Sequence, residues 1–441
     1  MKNPPSLKTR RKFLESAVIG GALTWTLPAF LSQTFNALGA EAQKGVTGKD
    51  STILVAVQLA GGNDGLNTIV PYTNDHYLSA RPTLALKGGE VLKVDDTFGF
   101  HPALSGLKAL YDAGQMAVYH GVGYPNPNRS HFRSTEIWHT ASDADKFERH
   151  GWLGRYFDNA CQGADPTVGL ALGRQMPQAF AAKRPTGVAL ENPEQYRLGS
   201  MDLAAEDEME SSEPFLRRMS DPAMLTDEAT QSGASITAVN GTISAPGSAL
   251  DYLERTALDA QVSSDKILSI AQKAANKAQY PASQFANNLK LVARLIAGGL
   301  PTRVFYLSQG GYDTHTGQSG SHERLLRDIS AAMHTFIQDL KAQGNHERVL
   351  VMTFSEFGRR VKQNANGGTD HGAAAPMFLF GGKLKPGLHG KFPSLAPKDL
   401  HNGDPKFTVD FRSIYAGILQ QWLRADSAPI VGASVKPVTI V

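Results

Sequence analysis

Thr52-Ile53-Leu54-Val55-Ala56-Val57-Gln58-Leu59 runs directly into Ala60-Gly61-Gly62-Asn63-Asp64-Gly65. A near-continuous apolar run, without the alternation of a half-solvated strand, is the pattern of a strand buried on both faces. The glycines end it in a tight loop that exposes backbone and presents Asn63 and Asp64. The same reading extends outward along the chain. Met116–His120, Thr302–Ser308, Arg348–Phe354 and Met377–Phe380 are further strand candidates. Between them lie helical patterns: Ser130 to Trp138 with Ser130 as N-cap, 249–277, 285–297, 321–340 with Leu326, Ile329, Met333 and Phe336 in a stripe, and 411–423 with Asp410 as N-cap. Strands alternating with helices predict an α/β fold with a mostly parallel sheet covered by helices. Residues 203–248 are acidic and rich in Ser and Gly, and 165–300 as a whole reads as a cap or insertion.

In open parallel sheets ligands sit at the carboxyl ends of the strands. Here those ends carry Asn63 and Asp64, then Asp313 and His315, then Glu356, then Asp370 and His371 just before the strand at 377. Oxygen and imidazole donors of this kind suit zinc, manganese, iron or calcium. A convergence of these residues therefore predicts a divalent metal site of one or two ions. His322, at the start of the 321–340 helix, is the alternative to His315; the compact turn Asp313-Thr314-His315 favours His315. Arg129 and Arg133 bracket Ser130 and are of the type that binds an anionic substrate bidentately, or are ordinary surface arginines.

Composition excludes several classes. A single cysteine, Cys161, leaves no disulfide framework and no multi-cysteine zinc site. Gly61-Gly62-Asn63-Asp64-Gly65 lacks the dinucleotide spacing, and neither a phosphate-binding G-x-x-x-x-G-K-[ST] loop nor a G-x-S-x-G nucleophile elbow occurs. Lys2, Lys8, Arg10, Arg11 and Lys12 stand against Glu15 and Glu41 in residues 1–42, so the formal excess of +3 belongs to that segment and the body is neutral. Nucleic acid is not an expected partner. Thr9-Arg10-Arg11-Lys12-Phe13-Leu14, followed by an apolar run to Leu31 broken by Pro28 and by Ala40-Glu41-Ala42, resembles a twin-arginine export signal; the run is shorter than the ~20 residues of a membrane span. The expectation is an exported chain, periplasmic or extracellular, with the twin-arginine translocase as its partner during export and no stable span in the mature body.

Gln58-Leu59-Ala60-Gly61-Gly62-Asn63-Asp64-Gly65, Tyr124-Pro125-Asn126-Pro127-Asn128-Arg129-Ser130-His131-Phe132, Gly311-Tyr312-Asp313-Thr314-His315, Thr353-Phe354-Ser355-Glu356-Phe357-Gly358-Arg359-Arg360 and Gly368-Thr369-Asp370-His371-Gly372 together resemble a family of bacterial exported proteins known as a domain of unknown function, number 1501. That family is similar to the alkaline phosphatase and sulfatase superfamily. The resemblance implies a three-layer sandwich with an inserted cap and hydrolysis of phosphate or related esters, with a small anionic ester as substrate. It implies Ser130 as nucleophile, assisted by Arg129 and Arg133. Asp64 would hold one metal, and Asp313, His315 and His371 the other. Asn63 and His131 are candidate substrate contacts. Glu356 stands where the superfamily has the Asp of an Asp-His pair, but Phe357 follows it, so either Glu356 or Asp370-His371 supplies that pair. The sulfatase branch fits less well, because Ser130 and Cys161 lack the Cys/Ser-x-Pro-x-Arg context. A non-catalytic surface protein keeping the fold and a structural metal is the alternative.

Overall fold

The computed structural model describes residues 51–184, 186–190 and 266–441. The expected export signal at 1–42, the acidic stretch 203–248 and residues 249–265 of the expected helix 249–277 lie outside them. The chain divides into two compact units, Met1–Ala189 with Ile270–Val441, and Leu190–Ser269. The first of these carries the site.

Among the described residues nine strands form the central sheet: β1 (Ile53–Leu59), β2 (Met116–Gly123), β3 (Gly169–Leu172), β4 (Val188–Leu190), β5 (Val304–Gln309), β6 (Val349–Phe354), β7 (Ala375–Phe380), β8 (Gly387–His389) and β9 (Val409–Asp410). They lie in the order β8-β2-β7-β6-β1-β5-β3-β4, with β9 also on β2. β1 is central and parallel to both β5 and β6. Its seven residues are all buried, as the unbroken apolar run predicts. The two faces serve two layers. Leu54, Ala56, Ala117, Tyr119, Leu350 and Met352 point into a core shared with the helices His131–Thr140, Trp152–Ala160 and Phe411–Gly417. Intervening residues such as Val55, Val57, Val118 and Val351 are buried on the opposite face, where Ser105–Asp112 packs on β2, Gln284–Ala297 on β5, and Gln318–Ala342 against both helices. The α/β sandwich with a mostly parallel sheet is the expected class.

Three corrections bear on the site. β3 and β4 belong to the central sheet and Gln284–Ala297 to its helical cover, so the ends of the 165–300 range are not cap material. β7 is antiparallel to both β2 and β6. The sheet reverses there, so the amino end of β7 arrives at the edge where β1, β2, β5 and β6 have their carboxyl ends. Finally, Asp370 and His371 do not follow the carboxyl end of a central-sheet strand. They sit in a separate antiparallel ribbon, Arg359–Gln363 with Thr369–His371, which leaves β6 and returns to β7 with Arg359 opposite His371.

Candidate metal centre

The loops after β1, β2, β5 and β6 meet at that edge because the strands end in register, Leu59 beside Gln309 and Gln58 beside Phe354. Gly61 and Gly62 have φ of +119° and +81°, and a Cβ on Gly61 would stand 2.4 Å from the Asp313 nitrogen. Only glycine lets the first loop pass this close to the third.

Four side chains converge there. His131, Asp313 and His371 bring donor atoms within 4.8 Å of one another, and His315 joins through the last two. His371 Nε2 lies 3.0 Å and His315 Nε2 3.1 Å from Asp313 Oδ1, with the two Nε2 atoms 2.9 Å apart. His131 Nε2 approaches Asp313 Oδ2 at 3.4 Å. Each imidazole is held from behind. His371 Nδ1 donates to the Arg129 carbonyl at 2.8 Å, His131 Nδ1 meets Glu356 Oε1 at 2.9 Å, and His315 Nδ1 faces Asp370 Oδ1 at 3.4 Å.

A carbonyl only accepts, so His371 carries its proton on Nδ1 and turns a lone pair inward. His131 and His315 each stand between two carboxylates, Glu356 and Asp313 for the first, Asp370 and Asp313 for the second. The inward lone pair of His371 then faces the Asp313 carboxylate at 3.0 Å. That arrangement repels itself unless a cation is shared. Donors on one tetrahedral ion at about 2.0–2.2 Å stand about 3.3–3.6 Å apart, close to the separations here. The residues present thus fit a divalent ion with imidazole and carboxylate ligands. Burial opposes ionisation of Asp313, but Arg359, as hydrogen-bond donor and as a neighbouring charge, leads the groups that outweigh it and hold the carboxyl at about 2. Burial pulls His371 below the ordinary histidine range, against Asp313 and the Arg129 carbonyl, which favours the neutral, ligating form.

The other candidates fall elsewhere. Asp64 is fully buried with Arg81 Nη1 2.6 Å from Oδ2 and Nη2 3.0 Å from Oδ1, and Gln318 also donates to Oδ2. Burial works against its charge, yet Arg81, His322 and Gln318 keep its carboxyl below the usual value. With its oxygens so engaged, Asp64 is an internal counter-ion and is not brought to the cluster. Asn63 is buried too, its Oδ1 bonded to His322 Nε2 at 2.9 Å, which removes both from the substrate side. Glu356 and Asp370 stand behind histidines; Glu356 Oε1 also accepts from the Gly61 amide at 2.8 Å, while its buried Oε2 has no partner. Arg129 is paired with Asp404 (Nε to Oδ2, 2.9 Å). Arg133 is spent on Glu136 at 2.8 Å, on the carbonyls of Asp143, Ala144 and Lys146, and on the Phe147 ring, 4.0 Å from its guanidinium carbon. Neither is positioned as a free anion clamp.

Ser130 is exposed at the start of the His131–Thr140 helix, and its hydroxyl does not cap that helix. Phe357 is buried with its ring centroid 4.9 Å from that of His131 and 4.4 Å from that of His371. An apolar ring therefore stands where the resemblance puts a histidine, and among the described residues the donors form one cluster. Sequence reading missed His131 as part of this cluster. Its one signal was its place in the first turn of a helix entering from the carboxyl end of β2.

A family model described as "Protein of unknown function (DUF1501)" matches residues 51–433. No curated protein matches the chain. Among solved structures it is similar to a protein in the alkaline phosphatase superfamily from Vibrio parahaemolyticus (TM-score 0.37, 9% identity, covering 92% of this chain and 79% of that one). It is also similar to alkaline phosphatase from the Antarctic bacterium TAB5 (0.32, 9%, 75% and 92%) and to the zinc complex of the C-terminal periplasmic domain of EcEptC from Escherichia coli (0.34, 10%, 76% and 74%). Likenesses of this extent leave the chemistry to be argued from the side chains.

Proposed function

The chain belongs to the DUF1501 family, and we propose that it is an exported, metal-dependent hydrolase of phosphate or related esters, with a small anionic ester as substrate. One observation carries the reading: the Nε2 atoms of His131, His315 and His371 gather on Asp313, and the exposed Ser130 directly precedes His131. His131 both follows the serine and belongs to the cluster, so the candidate nucleophile and one of the donors are held by the same helix start.

His131, His315, His371 and Asp313 would hold the ion, while Glu356, Asp370 and the Arg129 carbonyl orient the imidazoles. A bound divalent ion supplies Lewis acidity, easing loss of the serine proton and offsetting charge on the reacting ester. Ser130 Oγ would displace the alcohol to form a covalent ester, which water then cleaves. Export would proceed through the twin-arginine translocase. No helix among the described residues is long and apolar enough to cross a membrane.

The test is metal content by inductively coupled plasma mass spectrometry on protein exported by its own pathway, beside an Asp313→Ala/His371→Ala variant and Ser130→Ala. We expect near-stoichiometric metal in the wild type and in Ser130→Ala, loss of metal from the double variant, and at least a hundredfold loss of ester turnover in Ser130→Ala. Unchanged turnover in Ser130→Ala would reject the nucleophile.

A second reading, a non-catalytic binding protein with a structural ion, is favoured by the internal pairing of Arg129 and Arg133, which leaves neither poised for an anion. Its mark would be a thermal midpoint that falls on chelation without hydrolysis across a broad ester panel.

A further inference from the structure

Arg359 opens the ribbon that leaves β6, and its guanidinium is 0% exposed. It donates from Nε to the Gly62 carbonyl at 2.7 Å and from Nη1 to the Thr369 carbonyl at 2.7 Å. The two hydrogens of Nη2 are shared among the carbonyls of Gly61 and Tyr312 and, at 2.8 Å, Asp313 Oδ1. Four of these five acceptors are neutral carbonyls from the loops that build the site, and the fifth is the carboxylate of the cluster. A buried guanidinium without an anionic partner is costly, so Arg359 and Asp313 hold each other in place.

Arg81 takes both oxygens of Asp64 and leaves it nothing to offer. Arg359 takes only Oδ1 of Asp313, and it does so in the direction set by four fixed carbonyls. We propose that Arg359 is a positioning residue for the metal centre: it locks the Asp313 carboxylate so that Oδ1 meets His371 and His315 while Oδ2 meets His131. This rests on reading the cluster as a metal site. Lysine cannot replace the planar fork, because one ammonium cannot serve the Gly62, Thr369 and Asp313 directions together.

The test uses the mature chain with zinc and cobalt ions as probes, comparing wild type, Arg359→Lys, Asp313→Asn and the double variant. Zinc affinity is read by chelator competition and the ligand field by the visible band of the cobalt form. Arg359→Lys should bind zinc 10–100-fold more weakly, the range for lost outer partners of metal ligands, with a shifted cobalt band. The double variant should bind no more weakly than Asp313→Asn alone, because the arginine acts through that carboxylate. Wild-type affinity and an unshifted band in Arg359→Lys, or losses that multiply in the double variant, would overturn the proposal. If Arg359→Lys does not fold by circular dichroism, Arg359→Gln takes its place; failure of both to fold would make the arginine a structural staple and overturn it as well. Absence of ion binding by the wild type would instead remove the metal reading, and this inference with it.

Discussion

Asp64 and Asp313 both follow glycines at the end of a buried strand, and their surroundings separate them. Asp64 is enclosed with Arg81, both side chains 0% exposed, whereas Asp313 is partly open and shares its oxygens with three histidines. Breaking a buried pair by removing one partner leaves an uncompensated charge at a cost of about 3–5 kcal/mol. Asp64→Ala should therefore lower unfolding stability by that amount in chemical denaturation while the folded fraction keeps its metal. Loss of metal at unchanged stability would return Asp64 to the ligand set. At this scale the sequence showed which residue types gather at strand ends, but not their partners. Arg81 is 17 residues from Asp64, and Gln318 is 254 residues away. Nothing local to the Gly61–Gly65 loop reveals either.

Among the elements, the first loop is tightly constrained by its neighbours. At Gly62, φ is +81° and a Cβ would lie 2.3 Å from the Phe357 ring, which itself packs on His131 and His371. Gly62→Ala should cost about 1–3 kcal/mol from backbone strain and overpacking and should weaken metal binding by pushing Phe357 into the imidazoles. Gly89→Ala, with no atom near the added Cβ, is the control and should stay within about 0.5 kcal/mol. Denaturant midpoints and a zinc titration of both variants check this; equal behaviour would show the loop has room to relax. The elements themselves were largely legible. β1, β2, β5, β6 and β7 fall on the apolar runs, and Asp410 caps its helix through the Arg412 amide, as the pattern predicts. The direction of β7 was not legible, because an apolar run reads alike in either direction.

For the molecule as a whole, acid sensitivity follows from histidines buried as neutral groups. Burial holds His120, His139 and His322 at about 4 against an ordinary 6.5. The unfolded chain takes up protons first, so stability is complete above pH 6.5 and is lost as pH falls from there towards 4, by roughly 3 kcal/mol for each histidine. Thermal midpoints measured in chelator, to remove any effect of metal loss, should be flat above pH 6.5 and fall steadily below it. A midpoint constant down to pH 4.5 would contradict neutral burial. By itself the sequence determined the five long apolar strands, the helices at 285–297, 321–340 and 411–423, the neutral body and the edge at which polar residues collect, because apolar periodicity and glycine loops are local properties of the chain. Only the tertiary structure decided that β7 runs backwards and carries His371 to that edge, that His131 joins it from a helix, and that Arg129, Arg133 and Asp64 are spent elsewhere. Those outcomes depend on directions and distances between segments up to hundreds of residues apart, which no local pattern encodes.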